Sequence, residues 1–311
     1  MGKKVKNSVF MPPISRGYDF LNKRFASGNF NSYFSRYRPA GGDEDQLLPA
    51  WEEAATAITV LSHSSERFLY RNELVAHLLK NFQDDFVFHF FKDEKRMPPD
   101  IHTTATALSA LIRYGAVDPN DCAAIVKKIV ENLDEDGLLK FYFAPSSLPS
   151  HLDHVAMCQS ICFISDFYQL RPPCSVHEKL NETVRAINAR IKDEAEDQRY
   201  RSMYFFYAAW QLANRWGGEL GHIFTDMMIR SWALNINSSP ISLAMRIMVN
   251  QEFGGRWQAD KQQLLDLQQP DGGWPFDSLF RLDNAEEVYF GSRIIATSFA
   301  LKALETLALQ V

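Results

Sequence analysis

From about residue 50 to residue 308, apolar side chains return every three or four positions, segment after segment, with turn residues between. That period is helical, and its persistence leaves little room for any other architecture. Cap and turn signals mark the segments. "DIHTTATALSALIRYG" opens at Asp100 and stops at Gly115, a residue suited to a left-handed C-cap. "DPNDCAAIVKKIVENL" offers Asp118 as N-cap with Pro119 in the first turn. Ser65 reads as the N-cap of a helix running through "RNELVAHLLKNF". Further helices are expected from Ala50 and over 151–169, 176–194, 198–216, 219–233, 240–252, 258–268 and 292–308.

Strand signals are few. "FVFHFFKD" (Phe86 to Asp93) and "GLLKFYFA" (Gly137 to Ala144) are apolar and aromatic but isolated. Strand and helix do not alternate, so a doubly wound sheet is excluded and the expected class is all-α. Residues 1–49 are mixed and polar and read as an N-terminal arm, with one short helix around Asp19 to Phe25. Residues 50–311 form the helical domain.

One phrase occurs twice. An aromatic stretch and a turn lead into T-x-x-A-L-x-A-L, first from Thr104 to Leu111 and again from Thr297 to Leu304. Helical hairpins of roughly 45–50 residues fall in the size range of helical repeats. Such hairpins bury one another's faces in an open solenoid or a closed ring.

Composition narrows the partners. The net charge is −5, and no basic block follows "MGKKVK", which speaks against nucleic acid. No apolar run approaches a membrane span, and the N-terminus lacks the apolar core of a signal peptide. The four cysteines, Cys122, Cys158, Cys162 and Cys174, are too few for a disulfide framework and fit a reducing cytoplasm. Cys158 and Cys162 stand one helical turn apart, as two buried small side chains or as a thiolate site.

"LLDLQQPDGGWPF" closes a helix with Gln268, a Pro-Asp-Gly-Gly turn and Trp274. A helix end leaves carbonyls without partners, an amide can donate to such groups, and the glycines supply a positive-φ turn. The Gln-x3-Gly-x-Trp spacing resembles the QW motif of squalene and terpenoid cyclases. "DIHTTATALSAL" is similar to the DxDD-T-A segment of class II terpene cyclases, whose middle Asp protonates an alkene or an epoxide. Asp100 keeps the first Asp, His102 stands at the catalytic position, Thr103 at the last, and Thr104 and Ala105 keep the Thr-Ala. Residues 85–308 together resemble single-domain bacterial proteins with prenyltransferase-like or squalene-cyclase-like repeats. The resemblance implies an (α/α)6 toroid and an isoprenoid or other apolar substrate held in a central cavity.

On that resemblance, Asp100, His102 and Thr103 are the candidate catalytic residues. Imidazolium, with an ordinary pKa near 6.5, is a weak acid for a bare alkene, so the substitution favours other acid–base chemistry. "HLDH" adds His151, Asp153 and His154 at another helix start; His102, His151 and His154 would suit a divalent Fe, Mn or Zn ion if they converge. The aromatic rows nominate Phe141, Tyr142 and Trp274 for substrate contact, although each also suits a core. "VYFGSR" offers Tyr289 and Arg293 beside a helix start, either an anion site or, for the arginine, a salt bridge. Asp84 and Asp85 form a solvated turn rather than a metal triplet. Three functions remain open: a terpenoid cyclase-like enzyme, a metal-dependent enzyme on the same scaffold, and a lipid- or protein-binding module.

Overall fold

The computed structural model describes residues 11–35, 48–49, 52–93, 97–143, 152–193, 202–216, 238–250, 257–283 and 287–309. His151 and the helix expected over 219–233 lie outside the described residues. In chain order the elements are α1 (Met11–Ala26), β1 (Tyr33–Ser35), β2 (Leu48–Pro49), α2 (Ala55–His63), α3 (Arg71–Phe82), β3 (Gln83–Asp84) and β4 (Val87–Phe88). Then follow α4 (Ile101–Tyr114), a 3-10 turn (Pro119–Cys122), α5 (Ala123–Val130), α6 (His154–Phe167), α7 (Cys174–Asp193) and α8 (Ser202–Trp216). The last are α9 (Pro240–Asn250), α10 (Trp257–Asp266), β5 (Ser278–Asp283), β6 (Glu287–Gly291) and α11 (Arg293–Ala308). The chain divides into two compact units, one of Met1–Ala50, His63–Arg71 and Asn237–Val311, the other of Trp51–Ser62 and Asn72–Ile236.

In the second unit α4 packs on α6 and α6 on α8. α6 is apolar on almost every face and is buried accordingly. α7 shows one stripe only: Val176, Leu180, Thr183, Ile187 and Ile191 are buried, while Glu178, Lys179 and Glu182 are exposed. Helices buried all round thus alternate with helices that bury one face, as hairpin-built proteins require. Helix ends follow the sequence at α4, where Asp100 caps the first turn and Gly115 closes the last at φ 77°. Asp118 caps the 3-10 turn that leads into α5. Ser65 does not cap a helix. Its carbonyl accepts from the Phe68 N–H in a turn, and α3 begins only at Arg71.

The first unit carries what the sequence did not show, a four-stranded antiparallel sheet in the order β2-β1-β6-β5. Phe34 pairs with Phe290, which stacks on Phe280 with centroids 4.8 Å apart. β1 and β6 meet across some 250 residues, a distance that no local periodicity reports. The N-terminal segment is part of this unit: α1 packs on α11, and β1 joins the C-terminal strands. α1 also starts earlier than expected, at Met11, because Pro12 and Pro13 occupy a first turn where no N–H is needed.

The Gln268–Trp274 turn is a joint within that unit. Gln268 Nε2 donates to the carbonyls of Pro13 and Gly272, both at 2.8 Å. Trp274 Nε1 donates to the Leu264 carbonyl at 2.7 Å, satisfying one of the terminal acceptors of α10. Gly272 sits at φ 94°, and a Cβ there would lie 2.2 Å from the Arg16 carbonyl oxygen. Only glycine permits both the turn and the approach of α1.

Candidate functional site

Asp100 and Asp153 are the N-caps of neighbouring helices, α4 and α6, and both are buried. An N-cap carboxylate satisfies first-turn amides, so the sequence places these groups at helix starts for local reasons. Asp100 Oδ1 accepts the Thr103 N–H at 2.6 Å, and Oδ2 accepts the Thr103 hydroxyl at 2.7 Å. Burial pushes the Asp100 carboxyl up to about 7; the Thr103 bonds oppose the shift and the Asp153 charge adds to it. Near neutral pH this carboxyl is therefore no longer held fully ionised. In Asp153 the first-turn partner is the Ala156 N–H, at 2.9 Å.

Phe141 and Tyr142 strap the same helix start. The Ile101 N–H donates to the Phe141 carbonyl at 3.0 Å, and Asp100 and Tyr142 form an isolated antiparallel bridge. Their rings meet edge to face, with centroids 4.9 Å apart. His102 lies on the first turn of α4, half-buried, with Nε2 3.4 Å from the Tyr204 hydroxyl on α8. His154 begins α6 and meets the edge of Phe205 with centroids 6.0 Å apart. So Asp100, His102, Thr103, Phe141 and Tyr142 come together in the second unit, and Asp153 and Tyr204 join them. Tyr204 belongs to the aromatic row "YFFYAAW"; its hydroxyl, a polar tip on an apolar stripe, was the signal for it.

The other candidates have different roles. Trp274 is fully buried in the core of the first unit. Its apolar area and its Nε1 bond both go to the joint. Tyr289 lies within strand β6, paired with Ser35 and Arg281, rather than at a helix start. Arg293 opens α11, but its guanidinium is engaged. Nη2 is 2.7 Å from Asp271 Oδ1, Nε donates to the Trp274 carbonyl at 3.1 Å, and the group lies 4.7 Å over the Phe20 ring. The Asp-Gly-Gly turn delivers Asp271 to that position. Burial works against the Asp271 charge, but Arg293 outweighs it and holds the carboxyl below its usual value.

Among the described residues no group of three His, Cys, Asp or Glu side chains gathers to hold a metal ion. His102 and His154 meet Tyr204 and Phe205 respectively, and His151, the third proposed ligand, is outside the described residues. For the cysteines, burial pushes the Cys158 thiol well up and that of Cys162 to about 12, which favours two small core side chains over a thiolate site. Asp84 and Asp85 turn the short β3–β4 hairpin, with Asp85 at φ 47°. No helix is long and apolar enough to cross a membrane among the described residues.

No family model matches the chain. It is 24% identical over 214 residues to the drimenol cyclase drtB of Aspergillus calidoustus, a match covering 67% of this chain and 38% of that protein. The chain thus spans well under half the length of this curated relative. Among solved structures it is similar to the type II terpene cyclase MstE from Scytonema, with a TM-score of 0.63, 13% identity, and 97% and 99% of the two chains covered. An MstE variant has been captured with geranylgeranyl dihydroxybenzoate as substrate. An α-mannanase from Bacteroides thetaiotaomicron is also similar, with a TM-score of 0.56, 10% identity and 99% of each chain covered. These likenesses show the fold alone: the chain shares the largely helical fold of these solved structures. The mannanase shows that the fold alone does not choose a chemistry.

Proposed function

We propose that the chain is a terpenoid cyclase-like enzyme that closes rings in an isoprenoid by acid–base chemistry from the start of α4. The drimenol cyclase match and the MstE likeness support the substrate class. The observation that carries the reading is the buried Asp100 carboxyl, pushed up to about 7 at the position where class II cyclases keep an acidic motif. His102 stands beside it, half-buried on the same first turn, and is the residue we assign as proton donor to substrate. Asp100 and Thr103 hold that turn and its proton in place; Phe141 and Tyr142 supply aromatic surface at the same point.

An acid operating near neutrality suits an oxygen atom better than a bare alkene carbon. The reading therefore favours an isoprenoid with an epoxide or a comparable oxygen at the end that is activated. Purified chain is to be incubated with linear isoprenoids bearing either a terminal epoxide or a plain alkene, and products resolved by gas chromatography and mass spectrometry. Cyclised product from the epoxide, absent with His102→Ala at unchanged circular dichroism, is the expected result. Failure to convert any isoprenoid, with an apolar molecule extracted intact from native protein, would instead identify a binding module. His102→Asp sharpens the test, since it restores a carboxyl at the motif's middle position; gain of turnover on the plain alkene is expected.

A further inference from the structure

In the second unit α6 packs against both α4 and α8, and side chains of those two meet across it. His102 of α4 lies 3.4 Å from Tyr204 of α8, and the charge of Arg113, in the last turn of α4, acts on Tyr207. Tyr204, Tyr207 and Gln211 follow one another at helical spacing, so they share the face of α8 that looks into this convergence.

A neutral polar network stands on that face. Gln159 of α6 donates through Nε2 to Gln211 Oε1 at 3.0 Å, and a bond between the Gln211 side chain and the Tyr207 hydroxyl extends it. Both glutamines are half-buried. Two amides joined by one N–H···O bond keep one carbonyl oxygen and one NH2 for other partners, whichever way each is turned. Burial pushes the Tyr207 hydroxyl up to about 12, so it stays a neutral phenol. The neighbouring α6–α8 contacts are of other kinds. At the helix starts His154 meets the Phe205 ring, and at the helix ends Asp166 and Arg215 neutralise one another at 2.8 Å. The rise of a helix puts Gln211 about 10 Å along α8 from Tyr204, and so from the point where His102 meets that helix.

Resting on the reading of His102 as proton donor, we propose that the Gln159–Gln211 pair holds the water molecule that ends the cyclisation and so makes the product an alcohol. Protonation opens the epoxide: the C–O bond breaks with its electron pair on oxygen, which takes the proton from His102. Each alkene π pair then forms a ring C–C bond, and the positive charge moves along the chain, away from His102. An isoprenoid lying along the shared face carries that charge to the amides. Water that donates one hydrogen to an amide carbonyl keeps an oxygen lone pair for the cation. That pair forms the new C–O bond, the oxonium gives one proton to solvent, and half-buried His102 regains one from solvent. The net change is the addition of one water. A carboxylate at this place would instead compete as a base for a proton on carbon; a neutral amide orients water and favours addition.

Full-length chain is to be incubated with an epoxide-terminated linear isoprenoid in oxygen-18 water, and products resolved by gas chromatography and mass spectrometry. The expected parent product is cyclic, heavier than the substrate by one water, and carries one heavy oxygen. Gln159→Met and Gln211→Met keep the length of the side chain and remove the amide. Each should hold substrate consumption within about threefold of the parent while the alcohol share falls about tenfold in favour of isomeric cyclic alkenes. Should a methionine variant fold poorly, Gln159→Asn draws the amide back by one carbon and should lower the alcohol share in the same direction. An unlabelled cyclic product isomeric with the substrate overturns this proposal and leaves the cyclase reading standing. An alcohol share unmoved in every variant assigns the water to another group and overturns it equally. A parent that converts no isoprenoid overturns both.

Discussion

Thr104 in α4 and Thr297 in α11 occupy the same place in the repeated T-x-x-A-L-x-A-L phrase, and both are fully buried. Thr104 Oγ1 accepts the Phe88 N–H at 3.0 Å; Thr297 Oγ1 accepts the Trp274 N–H, also at 3.0 Å. Each threonine ties the aromatic segment before its helix to the helix itself. The repeated phrase is thus a repeated fastening. The caps differ: α4 begins under Asp100, α11 under Ser292, whose Oγ accepts the Ile295 N–H at 3.0 Å. A serine satisfies that first turn without a charge. Capping alone therefore does not call for the acid at Asp100, which burial makes costly to ionise. The two copies of one joint thus differ in the charge at the helix start, and the proposed acid–base chemistry at α4 rests on that difference.

The comparison can be broken in several ways. The largest effect is expected on the structural side. Trp274→Ala removes a fully buried ring and the Nε1 bond to Leu264, and should cost about 3–5 kcal/mol in chemical denaturation. An unshifted midpoint would end the description of that turn as a joint. Next comes the exchange of caps. Asp100→Ser gives α4 the cap of α11 and should keep the melting temperature within a few degrees while lowering turnover about a hundredfold. Ser292→Asp, the reverse exchange, should leave turnover near that of the parent. Equal losses in both would mean that the two helix starts are equivalent after all.

Smaller effects sharpen the common part. Thr104→Val and Thr297→Val each leave a buried N–H without its acceptor and should cost about 1–3 kcal/mol apiece, alike in the two copies. The smallest is a slope with pH. The folded-state pKa of Asp100, about 7, lies above that of an unfolded aspartate. Its contribution to stability is full below about pH 4, where both states are protonated, and is lost as pH rises through about 7. Asp100→Ser should flatten denaturation midpoints over that window, and Ser292→Asp should not imitate the parent's slope.

Much of this was legible in the residues, because helices announce themselves locally. Period, N-cap and C-cap placed α4 to within a residue, and Gln268, Gly272 and Trp274 read as a joint. Asp100, His102, Phe141 and Tyr142 could be nominated together, since one helix start and one aromatic segment carry them. Other features were not legible. β1 and β6 are short strands, too brief to alternate visibly, and each has meaning only through a partner far along the chain. The partners of Arg293 were not legible either, because nothing in "VYFGSR" names Asp271, Trp274 or Phe20 as its neighbours.

The sequence by itself determined the helical class, the ends of α4 and the recurrence of the fastening, since all three rest on interactions within a few residues of chain. Only the tertiary structure decided which side chains hold charge and which hold shape. The Asp100 carboxyl is pushed up towards neutrality because its surroundings exclude water from it, and His102 meets Tyr204 because α8 brings it to the ring. Arg293 is taken up by a turn that folds back on it. Solvation and partnership depend on what surrounds a group in space, and the order of residues along a chain does not carry that information locally.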